Sequence, residues 1–255
     1  MSVLIEQNSL KAAFKTDSGL KRQNNEDAIL ADCSRGVFAI ADGMGGHKAG
    51  HVASKMAIKT LTDSLGTTMN KKIDPIKLMN QVFWDAHNTI LSASRNNSQY
   101  EDMGTTLVVA LRVGDSSFII GHVGDSRAYH ICNDKIEPLT KDHSFLSEWI
   151  EQGIVSYEDA RSHPARHGLY MALGIDDEFE PRIGKVRLAE KDLLLLCSDG
   201  LTDMVAEKTI LEKVRRANSI QSACDDLIAE ANTNGGDDNC SALLIQIDNQ
   251  QKSFK

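Results

Sequence analysis

Three apolar segments of this chain break off at an aspartate or start just after one. Val37 to Ala41 runs into Asp42-Gly43, Leu193 to Ser198 runs into Asp199-Gly200, and Asp237-Asp238-Asn239 stands immediately before Ser241 to Ile247. One apolar strand that stops in Asp-Gly is ordinarily a strand entering a turn. Repetition changes the reading, because strands packed in a sheet bring their ends together, and Glu26-Asp27 and Gly124-Asp125 add further carboxylates. Carboxylates gathered without Lys or Arg beside them repel one another unless a hard cation neutralises them. The pattern therefore predicts a sheet-based fold carrying Mg²⁺ or Mn²⁺ on oxygen ligands. Two such ions can share a carboxylate, polarise a phosphoryl group and activate water against it.

Apolar and β-branched runs predict strands at 36–41, 105–113, 117–123, 193–197 and 241–247. Helical spacing covers 52–65 and resumes after Asp74-Pro75, where Asp can cap and Pro suits the first turn. Two more helices are predicted at 203–217 and 219–232, the last stopping before Gly235-Gly236. Between Lys141 and Ile183 the pattern is broken: a helix near Phe145–Ile150 ended by Gly153, then Ser156-x-x-Asp159 as a capping box. That stretch reads as an excursion from the core. No repeat, linker or low-complexity block divides the 255 residues, so a single domain over 1–255 is expected.

Charge narrows the partners. Lys plus Arg number 28 against 36 Asp plus Glu, a net charge of −8 that disfavours nucleic-acid backbones and anionic membranes. The five cysteines are scattered without a Cys-x-x-Cys pair, so spacing suggests neither a disulfide framework nor a thiolate zinc site. Together with the lack of a signal-like start or a run of about 20 apolar residues, this leads to a cytoplasmic expectation.

The ordered motifs resemble the bacterial branch of the metal-dependent (PPM, type 2C) serine/threonine protein phosphatases. They are Arg22-Gln-Asn-Asn25-Glu26-Asp27, Asp42-Gly43-Met44-Gly45-Gly46-His47, Gly104-Thr105-Thr106, Gly121-His122-Val123-Gly124-Asp125-Ser126-Arg127, Leu139-Thr140-Lys141-Asp142-His143-Ser144, Ser198-Asp199-Gly200-Leu201 and Gly236-Asp237-Asp238-Asn239. The resemblance implies an α+β fold: a central antiparallel β-sandwich with helices on both outer faces, four layers in αββα order. It also implies roles by position. Asp42 bridges two Mn²⁺ or Mg²⁺ ions, the Gly43 carbonyl holds one, and Asp199 and Asp238 complete the other. Asp125 with Asp199 matches a third, weaker metal site. Glu26 and Asp27 match acidic residues that orient water, and Arg22 matches a phosphate-binding arginine whose planar fork suits a phosphoryl dianion. The implied activity is hydrolysis of phosphoserine and phosphothreonine in proteins by metal-activated water, opposing a cognate serine/threonine kinase. The competing reading is a catalytically silent binding module on the same fold, and none of Asp42, Asp199 or Asp238 is lost, as it would require.

Two places depart from the family pattern. Met44 stands where a histidine general acid is found in eukaryotic members, which leaves His47 or a water as the candidate proton donor. His51 stands where many bacterial relatives have Glu; the His47-x-x-x-His51 spacing could bind zinc but shows no third ligand. Residues 143–182 resemble the flap subdomain of bacterial members, with His167-Gly168-Leu169-Tyr170-Met171 replacing its usual polar centre. Substrate preference is where that departure should act. A monomer is the default expectation.

Overall fold

The computed structural model describes residues 1–7, 9–45, 49–68, 73–160, 163–175 and 179–248. Two sheets form, with every strand pairing antiparallel. The first runs β1 (Ser2–Gln7), β2 (Leu10–Asp17), β12 (Cys240–Ile247), β11 (Leu193–Cys197), β8 (Arg127–Cys132), β9 (Lys135–Pro138). The second runs β10 (Arg182–Arg187), β7 (Ser117–Val123), β6 (Leu107–Arg112), β4 (Val37–Met44), β3 (Asp27–Asp32), with short β5 (Gly104–Thr105) paired to the end of β4.

Side-chain alternation builds the layers, since successive residues of a strand face opposite ways. Phe38 and Ile40 of β4 meet Leu194, Leu196, Leu243 and Ile245 of the first sheet in the inter-sheet core. Val37, Ala39 and Ala41 point the other way, onto α1 (Gly50–Thr68) and α2 (Pro75–Asn96). On the opposite flank Leu195, Cys197, Ala242 and Leu244 pack against α5 (Asp199–Thr202), α6 (Glu207–Arg216) and α7 (Ile220–Thr233). The order is helices, sheet, sheet, helices. Strand β11 is apolar throughout because both of its faces are covered.

Helix starts follow local chemistry. The Asp74 carboxylate accepts the N–H groups of Ile76 (2.8 Å) and Lys77 (3.4 Å), with Pro75 in the first turn. Asp74→Ala should lower stability by about 1 kcal/mol; urea unfolding checks this, and an unchanged midpoint would show the cap contributes nothing. Ser219 and Ser222 close a reciprocal capping box at α7. At Ser156 the expected box takes another form: its hydroxyl accepts the Asp159 N–H and donates to the Asp159 carboxylate, side chain to side chain.

Several elements differ from the sequence expectation. The strand at 36–41 continues through Asp42-Gly43 to Met44, because β5 pairs with its end. The strand at 105–113 is interrupted at Thr106, whose N–H donates to the Asp42 carbonyl at 2.9 Å. The helix expected at 203–217 is the shorter α6, which begins at Glu207 after an extended Ala206, and the separate short α5 precedes it, starting directly on the end of β11. Between β9 and β10 lie α3 (Phe145–Glu151) and α4 (Tyr157–Ala160). This excursion is laced back to its base by Phe145 N–H to the Gly168 carbonyl (3.0 Å) and Tyr170 N–H to the His143 carbonyl (3.0 Å).

Candidate active site

Antiparallel pairing places Asp27 opposite Asp42 where β3 and β4 meet the end of the sandwich. The first sheet contributes from the same end: Asp199 directly after β11, Asp238 just before β12, and Asp125 in the turn from β7 to β8. Arg22, Glu26, Asp42, Gly43, Asp125, Asp199 and Asp238 line one cavity of about 510 Å³. Asp27 sits behind that lining. Chain positions more than two hundred residues apart are thus brought together, as strand ends allow.

The charge balance inside is one-sided. Burial, and then the charges of Asp27, Asp199 and Asp125, hold the Asp42 carboxyl well above the usual carboxylate range. Asp199 is raised by burial and by Asp125, Asp203 and Asp238. Burial also raises Asp125 and Asp27. Asp27 Oδ2 accepts hydroxyls from Ser198 (2.9 Å) and Ser241 (2.6 Å). By contrast Asp27 Oδ1 and Asp199 Oδ1 are buried without a hydrogen-bond partner. Buried acceptors of that kind call for a cation or a donor. Every carboxylate donor here is oxygen, as hard divalent ions prefer. The donor set and its orphaned oxygens therefore fit Mn²⁺ or Mg²⁺.

Arg22 carries the positive charge at the rim; its Nη2 lies 2.7 Å from Asp238 Oδ2, and its side chain is 57% exposed. Gly43 lets two backbones touch: a Cβ there would stand 2.1 Å from the Gly50 carbonyl oxygen at the start of α1.

Further residues shape the cavity without having been singled out as site residues. Asn239 accepts the Glu26 N–H at 2.8 Å and donates to the carbonyls of Ser18 (3.0 Å) and Asn24 (2.8 Å), holding the loop that bears Arg22. Thr106 Oγ accepts the Asp42 N–H at 3.0 Å and lies 2.6 Å from the Ser126 hydroxyl. Arg127 forks onto Asp142 at 2.8 and 2.6 Å, tying the base of the excursion to β8 beside Asp125. Asp203, one helical turn beyond Asp199, lies near His167 Nδ1 (3.7 Å), which is 3.9 Å from Asp199. The i, i+4 spacing from Asp199 was the available signal for Asp203. Met44 lines the cavity. His47 lies outside the described residues, and with it the pairing with His51.

The chain is thus a four-layer αββα sandwich with an all-oxygen carboxylate site at the shared end of its sheets. The profile of the family described as Protein phosphatase 2C matches residues 19–237. The serine/threonine phosphatase stp of Listeria monocytogenes is 37% identical over 248 residues, 95% of this chain and 98% of the relative. The protein phosphatase PhpP of Streptococcus pneumoniae is 34% identical over 94% of this chain and 99% of the relative. The catalytic domain of the serine/threonine protein phosphatase PstP, solved with two manganese ions, superposes with a TM-score of 0.83 at 32% identity, covering 93% of this chain and 97% of that one. The chain belongs to the protein phosphatase 2C family. Its activity is that of a metal-dependent phosphoprotein phosphatase using two Mn²⁺ or Mg²⁺ ions.

Proposed function

We infer that this chain hydrolyses phosphoserine and phosphothreonine in protein substrates at the cavity described above. The observation that carries this reading is the convergence of Asp42, Asp125, Asp199 and Asp238 on one cavity, with a buried Asp199 oxygen left without a protein partner. Asp42, at the centre of the carboxylates, would bridge the ion pair, with the Gly43 carbonyl on one side and Asp199 and Asp238 on the other. Asp125 with Asp199 would hold a third, weaker ion. When bound, the ions supply Lewis acidity and make a water acidic enough to attack at neutral pH.

The protein's own groups then have separable tasks. Asp27, with Oδ2 occupied by two serine hydroxyls, has Oδ1 left to hold and orient the attacking water, and Glu26 assists through water. Arg22 is poised at the rim to take the equatorial phosphoryl oxygens, leaving Asp238 to its metal. The silent-module reading finds no support in the retained carboxylates. On a phosphothreonine peptide, turnover is expected with Mn²⁺ and should vanish with EDTA and return when Mn²⁺ is restored. Turnover that survives EDTA would overturn the assignment.

The excursion that carries α3 and α4, within residues 143–182, is read as a flap guiding the substrate chain. A second cavity of about 430 Å³ runs beneath it, lined by Leu146, Ile150, Arg166, Met204 and Val205, and shares Asp125 and Asp199 with the first. A phosphopeptide whose phosphate enters the carboxylate cavity can lay its flanking residues there. Ile150→Asp should therefore raise KM severalfold for a phosphopeptide and leave p-nitrophenyl phosphate unaffected; equal effects on both would remove this role.

Its protein substrates would be those of a serine/threonine kinase, and the chain would act as a monomer. No helix among the described residues is long and apolar enough to cross a membrane. The five cysteines are free thiols, as suits a reducing compartment such as the cytoplasm.

A further inference from the structure

Strands β8 and β11 each carry a cavity carboxylate at one end, Asp125 just before β8 and Asp199 just after β11. At their other end the same two strands gather His130, Cys132 and Asp192. His130 and Cys132 lie two residues apart on β8 and so face the same side of the sheet. Leu193 pairs with Ile131 in the antiparallel register, which sets Asp192, one step earlier, beside Cys132. Their face is the one that carries Ala128, Leu194 and Leu196 into the inter-sheet core. The three side chains therefore close the far end of the sandwich.

One imidazole nitrogen, one thiol sulfur and one carboxylate oxygen here all lie within 4.8 Å of one another. The side chains of His130 and Asp192 are only 14% and 13% exposed, and His130 Nε2 is 2.8 Å from Asp192 Oδ2. The Ala189 N–H donates to the same Asp192 oxygen at 2.7 Å, which holds the carboxylate in place. Glu137 stands opposite His130 in the β8–β9 register, on the same face. Burial and the charges of Asp192 and Glu137 raise the Cys132 thiol, so this sulfur sits among anions.

A nitrogen, sulfur and oxygen donor set is what Zn²⁺ takes in four-coordinate sites, with water or Glu137 available as the fourth ligand. It is a poor set for Mg²⁺ or Mn²⁺, which take oxygens. We propose that His130, Cys132 and Asp192 bind a divalent transition-metal ion of the zinc type, about 20 Å along the strands from the catalytic cavity. Binding replaces the His130–Asp192 hydrogen bond with two bonds to the ion, the imidazole proton passing from Nε2 to Nδ1, forms a bond from the Cys132 sulfur, and releases the thiol proton to solvent. The ion would clamp the β8–β9 hairpin to the start of β11. Spacing along the sequence could not announce such a site, because Asp192 arrives from a strand sixty residues away.

Cobalt reads this site selectively. The full chain, reduced and freed of metal, is titrated with Co²⁺ while near-ultraviolet absorbance is followed. Only a thiolate ligand gives a sulfur-to-cobalt charge-transfer band, and the catalytic carboxylates supply no sulfur. The expected result is a band that saturates at one equivalent, is displaced by Zn²⁺, and is absent in Cys132→Ser and weakened in His130→Gln. Both variants should keep Mn²⁺-dependent phosphatase turnover, which reports correct folding independently. Zn²⁺ at a hundredfold excess over its Kd should raise the melting temperature of the parent by about 5 °C more than that of Cys132→Ser. No band in the parent, a band that persists in Cys132→Ser, or equal zinc-induced melting shifts would each overturn the proposal.

Discussion

Asp199→Asn is expected to abolish Mn²⁺-dependent hydrolysis of a phosphothreonine peptide, lowering kcat/KM by about 10³-fold or more. Asparagine keeps the shape of the side chain and removes the charge. Asp199 Oδ1 is buried and unpartnered, and Asp125, Asp203 and Asp238 all press on its carboxyl, so the position is suited to a cation rather than to self-contained packing. The same reasoning gives a stability effect of opposite sign. Without metal, the variant should melt a few degrees above the parent, since one charge has left a crowded anionic cluster. The pH dependence follows from the raised folded-state carboxyls of Asp42 and Asp199. The folded state binds these protons more tightly than the unfolded chain, so their contribution is present at low pH and is lost as pH rises through the raised values. Metal-free parent protein should lose that increment on alkalinisation, and Asp199→Asn should lose less of it. Adding Mn²⁺ should stabilise the parent more than the variant. Calorimetry with and without metal, beside the activity assay, decides this; a variant that still turns over with Mn²⁺, or that melts lower when metal-free, would refute the assignment of Asp199.

The carboxylates were legible in the sequence because each lies beside an apolar run whose length and β-branching mark it as a strand. Asp42, Asp199 and Asp238 needed only the further idea that strand ends converge, and the structure places all three on one cavity. The inner strand β11 was equally plain, being apolar over its whole length, and β7 was marked by its run Phe118-Ile119-Ile120. The strands that escaped notice are β1, β2, β3, β8, β9 and β10. Sheet edges such as β9 and β3 retain polar residues, and β2 mixes Lys11 and Lys15 with buried Ala12 and Ala13. In β8 the alternation of Tyr129 and Ile131 with His130 and Cys132 was hidden by polar residues that one face accepts at the end of the sandwich. The second tier of the site was unreadable for another reason. Asn239, Thr106 and Ser198 act through hydrogen bonds to segments far off in sequence, and ordinary polar residues carry no periodic signal.

Gly43→Ala is expected to have the other large effect, on the fold and the site together. A Cβ at Gly43 would lie 2.1 Å from the Gly50 carbonyl oxygen, 2.4 Å from its carbon and 2.9 Å from the Glu26 carbonyl oxygen, all of them backbone atoms with no side-chain freedom to yield. The contact is mutual, because a Cβ at Gly50 would meet the Gly43 carbonyl carbon at 2.7 Å and its oxygen at 2.8 Å. Accommodating one methyl group therefore requires the end of β4 and the start of α1 to separate. That displacement moves the Gly43 carbonyl, proposed here as a metal ligand, and the adjoining Asp42. A loss of about 2–4 kcal/mol in stability is expected, in the range of overpacked or strained core substitutions, together with a fall in kcat of about 10²-fold and weaker Mn²⁺ activation. Gly66→Ala is the matched control, since nothing lies within 4 Å of its added Cβ and it sits inside α1. There the same substitution should stabilise by about 0.5–1 kcal/mol and leave kcat unchanged. Urea unfolding and Mn²⁺ titration of activity on both variants separate the two glycines. If Gly43→Ala were as benign as Gly66→Ala, the close approach of α1 to β4 could not be what sets the position of that carbonyl.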